Sequence, residues 1–115
     1  MRRIREVFQE MGIMGRLETW ERWRDGDTGL PILGLFRIVT AIQDFHKFSD
    51  GFDRVDLIVR YPVYLEVSNL LDHLERHGAQ SVGQGFEFFN TMDLERRVQV
   101  VELVAHLEGR QFFID

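Results

Sequence analysis

The sequence predicts an α+β fold: a βαββαβ core over residues 54–115, in the order of a ferredoxin-like split βαβ unit, with an N-terminal helical region over 1–48. Three observations predict it. Apolar residues alternate with a period of two after Arg54, helical periodicity governs 32–48 and 63–77, and phenylalanine pairs sit in short runs at 88–89 and 112–113. At 115 residues, 44% of them hydrophobic, the chain reads as a single domain. A chain of this size hides roughly two-thirds of its unfolded surface, so a core forms without crosslinks.

Arg2 to Met11 reads as an amphipathic helix, with Ile4, Val7, Phe8 and Met11 on one face before Gly12 and Gly15 interrupt it. Arg16 to Arg24 reads as a second, carrying Leu17, Trp20 and Trp23 at every third position. Asp25 to Pro31 is a turn by its Gly, Asp and Pro content. Ile32 to Phe48 is too long for an ordinary strand. As a helix it gathers Leu35, Ile38, Val39, Ala41, Ile42, Phe45 and Phe48 on a broad apolar arc. Ser49-Asp-Gly-Phe-Asp53 then breaks the pattern.

Val55, Leu57, Val59 and Tyr61 alternate with Asp56, Ile58 and Arg60, which predicts a strand stopped by Pro62. Val63 to His77 is a helix with Val63, Val67, Leu70, Leu71 and Leu74 inward and Gly78 beyond its end. Ala79 to Asn90 reads as two short strands about Gly83-Gln-Gly85. Asn90-Thr-Met-Asp93 fits a helix start, an Asx followed three residues later by an acid. The helix after it is expected to turn Leu94, Val98, Val101 and Ala105 inward and to end at Gly109, before a last strand over Gln111–Ile114.

Composition excludes several chemistries. With no Cys there is no thiol catalysis, thiolate zinc site or cysteine-ligated cluster. Lys47, the single lysine beside thirteen arginines, lies in no phosphate-binding loop. Residues 1–24 hold six Arg against four Glu, whereas 25–115 hold eight basic against fifteen acidic side chains. An overall −5 lacks the basic stripe a nucleic-acid binder needs. No uncharged stretch approaches the roughly 20 residues of a membrane span, and no apolar leader follows Met1. The expectation is a cytoplasmic protein with no cofactor, no nucleic-acid partner and no membrane.

Ser49, Ser68 and Ser81 lie outside any GxSxG pattern, and Asp25 to Gly29 lacks the later ligands of a calcium loop. On the helix after Pro62, Glu66, Asn69, His73 and His77 fall within about 80° of one another. His at i and i+4 suits a metal, with Glu66 as third ligand, but His73-Leu-Glu-Arg-His77 is not HExxH. Arg76-His77-Gly78 matches a phosphatase motif only as a tripeptide, since it closes a helix. His46 falls among Ile32, Leu35, Val39 and Ile42 on the wheel, where a small ligand or a core partner could engage it.

On strands, Phe88-Phe89 and Phe112-Phe113 would send one ring of each pair away from the helix-covered side. With Trp20 and Trp23 they suggest contact with another protein chain, and Trp20, Trp23, Phe89 and Phe113 are the expected contact residues. The sequence is therefore read as a non-catalytic interaction module, a homodimeric acidic adaptor, inhibitor or regulator. Two alternatives are a small-molecule- or metal-responsive regulator around His73, His77 and Glu66, and a small enzyme using His46 in an apolar pocket.

Overall fold

The computed structural model describes residues 17–26 and 29–113, with the side chains of all but 17–19, 33 and 110–113. The expected helix over Arg2–Met11 lies outside them. Among the described residues six α-helices follow in order: α1 Leu17–Arg24, α2 Ile32–Phe48, α3 Gly51–Arg60, α4 Val63–His77, α5 Val82–Asn90 and α6 Leu94–Phe113. A 3₁₀ turn at Gly78–Ser81 links α4 to α5. No strand occurs among the described residues. The fold is all-helical, and the α+β, ferredoxin-like expectation is overturned.

The helical expectations over 32–48 and 63–77 match α2 and α4 to the residue. Pro31 and Pro62 stand at the two N-termini, where a missing N–H costs nothing. Gly78 closes α4 with φ +71, a left-handed conformation that favours glycine, while its N–H donates to Leu74 O.

Each strand expectation fails for a local reason. At 54–61 the eight-residue alternation also fits a helix, in which Leu57, Ile58 and Tyr61 turn inward. The capping residue settles it: Asp50 accepts from the Asp53 N–H at 2.8 Å, so the supposed breaker is the start of α3. At 79–90 the phenylalanines suggested β, but burial decides. Phe89 is fully buried at α5's inner face, and Gly85 lets that helix approach Leu74 so closely that a Cβ would lie 3.2 Å from it. At the C-terminus α6 runs through Gly109 to Phe113, so Gln111–Phe113 is helix; Ile114 lies outside the described residues.

Helix α6 packs against α1, α2 and α4, and α4 in turn packs against α3 and α5. Buried residues from α1 to α6 form one apolar cluster running from Trp20 to Leu107. The inner face of α6 is rotated from the expected one. Of the expected residues Val101 is buried and Ala105 half-buried, but Leu94 and Val98 are exposed, and Val100, Leu103, Val104 and Leu107 are buried together with Arg97 and Glu108. Its N-cap is Asp93, which accepts from the Arg96 N–H at 2.9 Å.

Candidate interaction surface

Three of the four expected contact residues lie in the interior. Trp20 and Trp23 meet edge-to-face at 6.0 Å, and Trp23 meets Phe89 the same way at 6.4 Å. All three are buried, Trp23 and Phe89 completely. The backbone of Phe113 ends α6, and its side chain lies outside the described set.

A polar clasp locks this aromatic cluster. Asn90 Oδ1 accepts from Trp23 Nε1 at 3.2 Å and from the Leu30 N–H. Buried Arg97 lies over the Trp23 ring, 5.2 Å from its centroid. It donates to Met92 O at 2.9 Å and to Trp23 O and Asn90 O at 2.7 Å each. The Trp23 and Asn90 carbonyls lie at the ends of α1 and α5, where helices leave acceptors without intrahelical donors, and Met92 lies in the turn after α5. Arg97 and Asn90 therefore serve as structural residues that tie α1, α5 and α6 together.

The histidines separate into two places. His46 Nε2 lies 2.7 Å from the Tyr64 hydroxyl and 3.4 Å from Ser68 Oγ, between α2 and α4. Burial lowers its pKa, helped by the Arg54 charge and opposed by Asp72 and Glu75. The neutral ring this favours shares its Nε2 between the buried Tyr64 hydroxyl and Ser68 Oγ, with the tautomer setting which group donates. A depression of about 210 Å³ lies one turn further along, walled by Leu35, Val39, Leu71, Leu74 and Val82. His46 does not line it.

The His73 and His77 rings lie side by side, centroids 4.2 Å apart and tilted by 45°, and His73 Nε2 contacts Gln84 Oε1 at 2.9 Å. Glu66 instead pairs with Arg96 of α6 at 3.2 Å. Among the described residues no group of three His, Asp or Glu is placed to hold a metal ion.

A buried ion pair joins α2 to α6. Arg37 Nε lies 2.8 Å from Glu108 Oε1, while Glu108 Oε2 accepts no hydrogen bond. Burial pushes the Glu108 carboxyl up to about 7, against the downward pull of Arg37.

The surface feature that sequence reasoning missed is on α3. Phe52, Val55 and Val59, at i, i+3 and i+7, form a stripe on the side opposite Leu57 and Tyr61. They are 82%, 60% and 74% exposed, and Phe48 at the α2–α3 corner is 72% exposed. α3 thus carries two apolar faces, of which one packs on the core. The signal was legible in the residues: with Asp50 as cap, helical spacing separates the two faces. Reading period two put Val55, Leu57 and Val59 on one side instead. Beside the exposed stripe Asp56 and Arg60 form an i, i+4 pair at 3.3 Å, both about half exposed.

No helix among the described residues is long and apolar enough to cross a membrane. No family model matches the sequence, and neither a curated protein nor a solved structure matches the chain.

Proposed function

We propose that this chain is a non-catalytic interaction module, an acidic adaptor, inhibitor or regulator, that associates through the α3 stripe. The observation that supports this is the exposure of Phe48, Phe52, Val55 and Val59 at one corner and along one helix face. Contiguous apolar patches of several hundred Å² are uncommon on monomeric proteins and mark sites of association. The contact role expected of Trp20, Trp23 and Phe89 moves to this stripe, because those three rings are enclosed. The regulator and enzyme readings gain no comparable support, with Glu66 held by Arg96 and His46 Nε2 held by Tyr64. The same proposal places the protein in the cytoplasm, a compartment suited to a chain without Cys.

Sedimentation velocity and native mass spectrometry of the full chain test the reading, beside Phe52→Asp and Val59→Asp. Wild type is expected to associate as concentration rises, and both variants to remain monomeric with unchanged helical circular dichroism. A wild type that stays monomeric to its solubility limit overturns the reading. So does an oligomer that both variants leave intact.

A further inference from the structure

We propose that the apolar depression between α2, α4 and α5 binds a small organic ammonium ion, an apolar body of about eight carbons that carries one primary amine. The site is separate from the α3 stripe and does not rest on the association reading.

The first observation behind it is shape. The depression measures about 210 Å³ and is walled by Leu35 and Val39 of α2, Leu71 and Leu74 of α4 and Val82 of α5. Gly78 and Ala79 complete the lining where α4 passes into the 3₁₀ turn, and a Cβ at Gly78 would meet nothing within 4 Å. Small residues thus leave the mouth open to solvent while branched ones form the walls. An enclosed cavity of roughly 150 Å³ with walls of the same kind stays dry and takes up benzene. The larger, open space here accommodates a phenyl ring with a two-carbon link.

The second observation is charge. Glu75 is the charged residue of the lining, and Gln43 Nε2 donates to its Oε1 at 2.9 Å across the two helices. That bond steadies the carboxylate at the mouth and leaves its Oε2 and the Gln43 carbonyl as acceptors. An ammonium group, with three donors and no acceptor, matches them. The neighbouring cations are turned elsewhere. Arg76 Nε donates to Asp72 O at 3.4 Å, the His77 ring lies against His73, and Lys47 Nζ lies 5.4 Å from the Phe48 ring centroid. None of these three lines the depression. An anionic ligand would therefore meet Glu75 with no cation to offset it.

Three probes share one apolar body and differ in the head: 2-phenylethylamine, which is an ammonium ion at pH 7, 2-phenylethanol and 3-phenylpropanoate. Each is titrated into the full chain while the methyl resonances are followed by NMR. With the amine, saturating shifts are expected at Leu35, Val39, Leu71, Leu74 and Val82, at a dissociation constant on the order of 1 mM. The alcohol is expected to bind about threefold more weakly, the worth of one exposed charge pair, and the carboxylate more weakly again. Glu75→Gln, at an exposed position, should bring amine and alcohol to equal affinity. Val39→Trp should fill the depression with its own ring and abolish binding of both.

Absence of a saturating shift at those methyls overturns the site, and so do shifts confined to Val55 and Val59, which would put the probe on the α3 stripe. Equal affinity of amine and alcohol in the wild type, or a preference that Glu75→Gln leaves unchanged, overturns the assignment of the ligand as a cation. Binding that survives Val39→Trp with native helical circular dichroism overturns the site as well. If that variant loses its helical signal, the wild-type shifts and the Glu75→Gln comparison decide.

Discussion

Replacing Glu108 by Gln tests the buried carboxyl on α6. The group is 3% exposed, has one oxygen against Arg37 Nε and leaves the other without a hydrogen bond. Burial raises its pKa from 4.5 to about 7 in the folded chain. As pH rises past the lower value the unfolded chain releases its proton while the folded chain keeps it, so stability falls between the two values. The contribution is complete below pH 4.5 and lost above about 7. At ~1.36 kcal/mol for each pH unit the total is about 3 kcal/mol. Glu108→Gln keeps the shape and an acceptor for Arg37 but has no proton to lose. Urea unfolding of both proteins from pH 4 to 8 gives the difference in stability, variant minus wild type. That difference is expected to rise by about 3 kcal/mol across the window, whatever its starting value. Other titrating groups cancel in the comparison. A flat difference would show a carboxyl of ordinary pKa, and a falling one would show that Arg37 outweighs burial; either outcome refutes the reasoning.

Arg97→Met removes three donors from buried carbonyl oxygens; a loss of about 3 kcal/mol or more is expected in urea unfolding. Asn90→Ala leaves Trp23 Nε1 and the Leu30 N–H without their acceptor. It should cost about 2 kcal/mol and shift tryptophan emission, with the native helix content kept. For His46 the pKa is lowered below 6.5, so its contribution is present above 6.5 and lost as pH falls through the folded value. The ring resonances in NMR are expected to titrate below that of a free imidazole, and His46→Gln should abolish this part of the acid-side destabilisation.

The contrast between α4 and α3 shows what local pattern can and cannot decide. Over Val63–His77 four turns of apolar spacing, a proline in front and a glycine behind all agree, and the helix forms where they say. Over Gly51–Arg60 the segment is short and apolar residues occupy both faces, so two periods fit equally well. Only the Asp50–Asp53 cap separates them, and it uses residue types common to turns and helix starts. On α6 the error has another source. A helical wheel sends charged residues outward, yet Arg97 and Glu108 face the core because carbonyls at two helix ends and a guanidinium on α2 await them. Those partners are separated from Arg97 and Glu108 by as many as 74 residues.

The side chains read as metal and contact residues find their neighbours at the same kind of distance. Glu66 shares a helix face with His73, but Arg96 on another helix takes its carboxylate. Phe89 read as a contact residue because a strand would have turned one ring of its pair outward, and Trp20 and Trp23 because tryptophan is enriched at interfaces, whereas the helices place all three rings against one another.

Residue order by itself determined α2 and α4, the turn that follows α1 and the exclusion of thiol chemistry, because each depends on neighbours within a few residues or on composition. Tertiary structure alone decided that the phenylalanine runs become helix and that α6 turns two charges inward. Each of these depends on which distant surface competes for the same side chain.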